Sequence, residues 1–184
     1  MGAVSLRPMT DADAPVMLPR LTDERVLEWV YGRDQLYSLD RIREEWAPAT
    51  LATEHVWPHL ITLGDRPIGY LQLVWVQPHN EGYQAEGDLT DAYAFDMFIG
   101  EPDLWGAGLG TAVCAHAIAV LMERGAQRVL IDPRVLNERA VHVYERVGFR
   151  KVTVLIRNEL HESVYFDCWL MELDWDAFRA YQHP

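Results

Sequence analysis

Apolar and polar positions along the chain fall into blocks whose period changes between two and about 3.6, the mark of alternating strands and helices. "VSLRPM" reads as a strand, and Thr10 with Asp13 three residues on forms a capping-box signal for the helix after it. Short helices fit "TDERVLEWV", capped by Thr22, and "SLDRIREEW", where Leu39, Ile42 and Trp46 share a face. "HLITLGDRPIGYLQLVWV" divides at Gly64-Asp65 into two β-rich runs and predicts a hairpin. A polar loop, "QPHNEGYQAEGDLTDAY", leads to the strand "AFDMFI", and Leu109 to Arg124 reads as a helix stopped by Gly125. Then come strand "RVLID", helix "NERAVHVYERV" stopped by Gly148, and closing strands around "RKVTVLI" and "SVYFDCWLMEL". No repeat, low-complexity tract or linker breaks the order. One domain over residues 1–184 is expected, an α/β fold with a mixed sheet and helices on both faces.

Composition agrees with a compact domain: 184 residues, 49% hydrophobic and 11% aromatic, suffice for a sizeable core. The N-terminal stretch has no apolar leader, and Leu6 stands where an N-myristoylation signal needs Ser or Thr. No segment is apolar enough to span a bilayer. Cys114 and Cys168 offer neither a disulfide framework nor metal-ligand spacing. A cytoplasmic monomer without a metal is the expectation.

Charge changes the picture more. Lys and Arg number 16 against 28 Asp and Glu, a formal −12, which disfavours nucleic acid and anionic membrane as partners and favours small cations. From Pro67 to Glu123 there is no Lys or Arg, while Glu81, Glu86, Asp88, Asp91, Asp96, Glu101, Asp103 and Glu123 fall in that window. A solvated acidic loop is one account of the stretch from Glu86 to Asp91, and a site for a polycationic substrate is the other. A solvated loop does not account for Asp96, which sits among the strand-forming residues of "YAFDMFIG".

The loop after that strand, "LWGAGLGTAV", places glycines at 106, 108 and 110 just before a helix. Backbone amides can approach a ligand there without a Cβ in the way, and the helix start adds partial positive charge, so phosphate is the natural guest. A nucleotide P-loop would need Lys after the last glycine, and "GLGT" has none. A dinucleotide fold would set its glycines after the first strand, whereas these follow a hairpin and a further strand. The pyrophosphate of acetyl-CoA fits better. A second signature lies downstream in "DPRVLNERAVHVYERVGF", where Asn137, Ala140 and Tyr144 fall on one helical face and Gly148-Phe149 closes the helix.

Together and in this order, "WGAGLG" and N-x-x-A-x-x-x-Y-x-x-x-G-F resemble the GCN5-related N-acetyltransferase superfamily, from about Ser5 to Leu173. Within it the chain is most similar to the aminoglycoside 6′-N-acetyltransferases. Those show "I-D-Q" on the strand, "L-G-K-G-L-G-T" in the loop and "D-P-x-x-x-N-x-R-A-I-x-x-Y-E-K-x-G-F" after it. Here the matching stretches are Phe95-Asp96-Met97, Trp105 to Thr111 and Asp132 to Phe149.

The resemblance implies a mixed, mostly antiparallel central sheet flanked by helices. It implies acetyl-CoA as co-substrate, held by the backbone at Phe98 and Ile99, by Gly106, Ala107, Gly108, Leu109, Gly110 and Thr111, and by Asn137, Ala140 and Tyr144. The acceptor it implies is a polycationic aminoglycoside, acetylated at its 6′-amine, with antibiotic resistance as the consequence. Asp96 would take the amine's proton, directly or through water, and Tyr144 would protonate the leaving thiolate. Asp96 and Asp132 would meet the acceptor. Glu81-Gly82-Tyr83 matches an Asp-Gly-Trp substrate loop, Trp46 a substrate-contacting tyrosine, and Trp29 a tryptophan-bearing substrate wall.

One departure stands out: relatives often place Arg or Gln, then a basic residue, where this chain has Trp105 and Ala107. A cation from elsewhere, Arg139 or Arg146, would then meet the phosphates. By spacing alone Tyr144 also fits a core aromatic, and Asp132 before Pro133 a strand-ending turn residue. Trp46, Trp57 and Trp75 read as core, His116 as a satisfied core histidine and Cys114 as a small buried hydrophobe. Two other functions stay open: acyl transfer to a hydroxylamine-bearing siderophore precursor, and a non-catalytic module that binds a cationic ligand on the same fold.

Overall fold

The structure, a computed structural model, describes residues 3–46 and 48–183, the side chain of Ala49 excepted. Gly2, where a lipidation signal would begin, lies outside them. In chain order the elements are β1 (Val4–Pro8), α1 (Ala14–Met17), α2 (Glu24–Leu27), α3 (Leu39–Glu45), α4 (Pro48–Leu51), β2 (Val56–Leu63) and β3 (Arg66–Trp75). Then follow α5 (Asn80–Tyr83), β4 (Ala92–Ile99), α6 (Leu109–Glu123), β5 (Arg128–Ile131), α7 (Glu138–Arg146), β6 (Phe149–His161), β7 (Val164–Leu173) and α8 (Trp175–Gln182). The sheet has seven strands in the order β1-β2-β3-β4-β5-β7-β6. It is mixed: β4 and β5 run parallel, while β1/β2, β2/β3, β5/β7 and β6/β7 pair antiparallel.

Most of the predicted elements are present, with differences at their edges. The helix read in "TDERVLEWV" is the short α2, and its cap is Asp23 rather than Thr22. The Asp23 carboxylate accepts the Arg25 N–H at 2.9 Å, while the Thr22 hydroxyl donates to the Leu18 carbonyl at 2.8 Å. A carboxylate is the stronger acceptor for a free first-turn amide, so the cap falls one residue later. The polar segment before β4 contains α5 and a 3₁₀ turn, Gln77–His79. The terminal helix α8 was not anticipated; Asp174 caps it by accepting the N–H groups of Asp176 and Ala177.

The chain divides into two compact units, Met1–Val74 with Asp96–Val113 and Trp75–Phe95 with Cys114–Pro184. In the first, Met17, Leu21, Ile42, Leu60 and Tyr70 are essentially fully buried, and Trp46 and Phe98 complete the cluster. The Trp46 ring meets Tyr31 and Tyr70 edge-on, at centroid distances of 4.9 and 5.0 Å. Such T-shaped pairs add to the area that each ring buries. In the second unit, Tyr144 of α7 packs edge-on against Phe95 at 6.2 Å and Phe149 at 5.8 Å. Gly148 turns the chain from α7 into β6 at φ +110, with a Cβ there 2.9 Å from the Phe178 backbone nitrogen. Only glycine takes that conformation in that space. No helix of the described residues is long and apolar enough to cross a membrane.

Candidate active site

The second half of strand β4, from Asp96 to Ile99, belongs to the first unit and leads into the loop. Its parallel pairing with β5 covers only Ala92, Tyr93 and Ala94, although β4 runs on to Ile99. Gly100 N–H donates to the Ile68 carbonyl at 2.9 Å, and the Phe98 carbonyl lies against Gly69. Backbone groups alternate along a strand, so Phe98 faces β3 and Ile99 faces the opposite edge. Of the two amides expected near the thioester, only that of Ile99 is turned away from the hairpin.

The glycine loop is pinned from below and open above. Its root is Glu101, which accepts from Arg20 at 2.8 Å and from Arg66. Arg20 is 7% exposed, and its guanidinium also donates to the Val16 and Pro67 carbonyls. Trp105, the residue that departs from the family pattern, points inward: it packs against the first unit's core and its indole N–H donates to the Ile99 carbonyl at 2.8 Å. It is thus a staple of the loop rather than a phosphate ligand. Gly106 and Gly108 hold φ of +80 and +79, and a Cβ at either would meet nothing within 4 Å. Gly106, Ala107 and Gly108 are exposed, whereas Leu109 and Thr111 are buried. The Gly108 carbonyl accepts the Ala112 N–H, so α6 starts there and the amides of Leu109, Gly110 and Thr111 have no acceptor within the helix. An open cradle of backbone donors at the start of a 15-residue helix fits a pyrophosphate.

Asp96 is exposed but set deep among protein atoms. That loss of water raises its carboxyl from the ordinary value, against the opposing pull of a hydrogen bond from Gln72. Gln72 Nε2 donates to Asp96 Oδ2 at 2.7 Å, and the Tyr70 hydroxyl donates to Gln72 Oε1 at 3.0 Å. A carboxylate that is reachable, ionisable and more basic than usual can serve as a proton acceptor.

The residues singled out in the sequence differ in how far they reach solvent. Trp46, at 5% exposure, packs in the first unit's core, and Tyr83, at 7%, is buried while Glu81 and Gly82 of its segment are exposed. Trp29 is half-buried in the turn after α2. His116 is exposed on α6, contrary to its reading as a core histidine, because it falls on the helix's outer side between buried Cys114 and Ala117. Cys114 is fully buried, and burial pushes its thiol well above the usual range.

In the second unit, Asp132 lies just past the end of β5 and accepts from Asn158 Nδ2 at 3.0 Å. Asn158 reaches it from an irregular stretch of β6, where the register against β7 shifts between Leu155 and Glu159. Asn137 caps α7 by accepting the Ala140 N–H at 3.1 Å, and Tyr144, at 8% exposure, is buried by its ring packing. Arg139 and Arg146 are exposed on α7. The acidic loop is anchored, not loose: Arg128 donates to the Glu86 and Asp88 carbonyls while it pairs with Glu172 at 2.7 Å. Its backbone is tied inward and its Glu86 and Asp91 side chains face solvent. Glu81, Glu86 and Asp91 have no ion-pair partner among the described residues.

Gln72, Arg20 and Asn158 were missed by sequence reasoning. Gln72 left a signal, as the lone polar residue of "YLQLVW"; the partners of Arg20 and Asn158 lie 81 and 26 residues away and left none. Among the described residues no group of His, Cys, Asp or Glu is placed to hold a metal ion.

A strand that carries a carboxylate and leads into a glycine-rich helix start supplies the parts of an acetyltransferase. The chain belongs to the family of the acetyltransferase (GNAT) domain, whose pattern it matches over residues 9–155. It is 28% identical over 150 residues to the aminoglycoside N(6′)-acetyltransferase type 1 of Klebsiella pneumoniae, covering 81% of this chain and 75% of that protein. A structure of AAC(6′)-Ib with ribostamycin and coenzyme A superposes with a TM-score of 0.81 at 26% identity, over 96% of each chain. AAC(6′)-Ib with coenzyme A and kanamycin gives 0.80 at 25%, over 97% of this chain and 98% of that one.

Proposed function

We propose that this protein, acting as one acetyltransferase domain, transfers the acetyl group of acetyl-CoA to the 6′-amine of an aminoglycoside antibiotic, which would blunt the drug. The observation that carries the reading is Asp96: a solvent-reachable carboxylate with raised basicity, on the strand that leads into an open cradle of backbone amides. The sequence and structural likeness to aminoglycoside acetyltransferases supports the acceptor class, as do the exposed, unpaired carboxylates of Glu81, Glu86 and Asp91.

Bound acetyl-CoA would supply an activated acyl group with a good leaving thiolate. The amides at Gly106 to Thr111 would hold its pyrophosphate, and the Ile99 amide is the donor turned to meet an oxyanion. Asp96 would first attract the ammonium of the acceptor and then take its proton, freeing the nitrogen lone pair for attack. Asp132, held by Asn158, would meet other amines of the acceptor. Tyr144 is the candidate acid for the departing sulfur.

The test is release of CoA thiol from acetyl-CoA across a panel of aminoglycosides, basic peptides and hydroxylysine. Turnover should require a 6′-amine, and an analogue with a 6′-hydroxyl should compete without being acetylated. Turnover confined to hydroxylysine would move the protein to siderophore chemistry. The loop has its own test: Gly108→Val puts a branched side chain where φ is +79 and where a ligand must approach, so acetyl-CoA affinity should fall at least about tenfold in a folded protein.

A further inference from the structure

Strand β3 places Tyr70 and Gln72 two residues apart, hence on one face. Tyr70 is 1% exposed, so its hydroxyl needs a partner, and burial keeps it protonated throughout the working pH range. The partner is the Gln72 carboxamide, which also reaches Asp96. A phenol can donate, while an ionised carboxylate only accepts, so one orientation of the amide satisfies both neighbours: oxygen to Tyr70, NH₂ to Asp96. The reversed amide would set oxygen against oxygen at the carboxylate. The buried tyrosine therefore selects the way the glutamine faces.

We propose that Gln72, oriented by Tyr70, is a positioning residue for Asp96: it holds Oδ2 of the carboxylate and so reserves Oδ1 as the atom that takes the proton from the acceptor amine. The inference rests on the reading of Asp96 as the base. Among the described residues Oδ1 accepts no hydrogen bond, and the side chain is open to solvent. In the transfer, the N–H bond of the ammonium breaks, its electron pair stays on nitrogen, and an O–H bond forms at Oδ1. Oδ2 remains an acceptor in the protonated acid, so the Gln72 bond persists through the step and nothing around the base must reorganise. A proton delivered to Oδ2 would instead compete with the amide N–H for the same oxygen.

The experiment compares Gln72→Leu, Gln72→Met and Tyr70→Phe with the wild-type chain by two readouts. The first is carbon-13 NMR titration of the Asp96 carboxyl without substrates, assigned by its loss in Asp96→Asn; the second is kcat and KM for each substrate against pH. Loss of the Gln72 donor should move the Asp96 titration to higher pH by about one unit, because a hydrogen bond to the charged form is gone. The acid limb of kcat should move with it, and kcat should fall about tenfold or more with the acetyl-CoA KM unchanged. Tyr70→Phe should shift both in the same direction by less, since the amide keeps its reach but loses its orientation. Either glutamine variant, folded, with the Asp96 titration in place would overturn the positioning role while leaving Asp96 as base. Near-normal turnover by Asp96→Asn would instead remove the base reading, and with it the role of Oδ1, whatever the titration shows.

Discussion

Asp13 and Asp96 each accept a hydrogen bond of 2.7 Å from a side-chain nitrogen, yet they are displaced in opposite directions. Asp13 meets the Arg7 guanidinium with both oxygens and also accepts from the Thr10 N–H and hydroxyl, and these hold its carboxyl down at about 2. Asp96 has a single neutral amide, which cannot offset the loss of water around it, and its carboxyl rises. Glu101 is a third case, shared between two arginines, one of them buried. Distance alone does not tell a structural carboxylate from a chemical one. The charge of the donor does, because a cation fixes the negative form whereas a neutral donor leaves it free to take a proton.

The comparison breaks most sharply at Asp96. Asp96→Asn keeps the size and removes the proton acceptor, so kcat should drop by about 10²–10⁴, the usual contribution of a positioned base. Its thermal midpoint should not fall, since a raised carboxyl means that the folded state binds the proton more tightly than the unfolded state and gains nothing from ionisation at neutral pH. Retained turnover would make Asp96 a strand residue like any other.

Next in size is Glu101→Gln. It leaves Arg20, whose Nε already has no hydrogen-bond partner, as a buried cation without its counter-charge. A loss of about 2–3 kcal/mol in urea unfolding is expected, below the range for a fully buried pair because the Glu101 side chain keeps 18% of its surface. Because Glu101 roots the glycine loop, the KM for acetyl-CoA should rise more than that for the acceptor. Equal effects on both would separate the pair from the loop.

Asp13→Asn should cost about 1–2 kcal/mol of stability and leave turnover per folded molecule intact. The sign of its pH dependence follows from a lowered carboxyl: the stabilisation is complete above the unfolded value of 3.8 and is lost as pH falls through about 2. Wild-type and variant unfolding midpoints should therefore converge in strong acid. The smallest effect is on the acid limb of the activity profile, which for Asp96 should lie above the ordinary aspartate value and be unmoved by Asp13→Asn. A limb that follows Asp13 would merge the two cases.

The sequence alone determined the strands, the longer helices up to α7 and the glycine loop, because these are local, while α4, α5 and α8 escaped it. Period-two and period-3.6 patterns survive in any context that buries one face, and positive φ at Gly106, Gly108 and Gly148 needs glycine whatever the neighbours are. It also singled out Asp96, since a lone acid among strand-forming apolar residues is costly unless used. What it could not decide was which side chains face inward. Trp46 reads as core by its pattern and as a ligand contact by resemblance, and it is buried; Tyr83, matched to a substrate loop, is buried too, while His116 reads as core and is exposed. Those outcomes depend on helix rotation and on packing partners far along the chain. The tertiary structure alone decided the company of each carboxylate: Arg20 for Glu101 across 81 residues, Asn158 for Asp132 across 26, Gln72 for Asp96 across 24. Desolvation and donor charge act through space, so the basicity of an acid is fixed by neighbours that strand order and register bring to it, and by nothing written next to it in the chain.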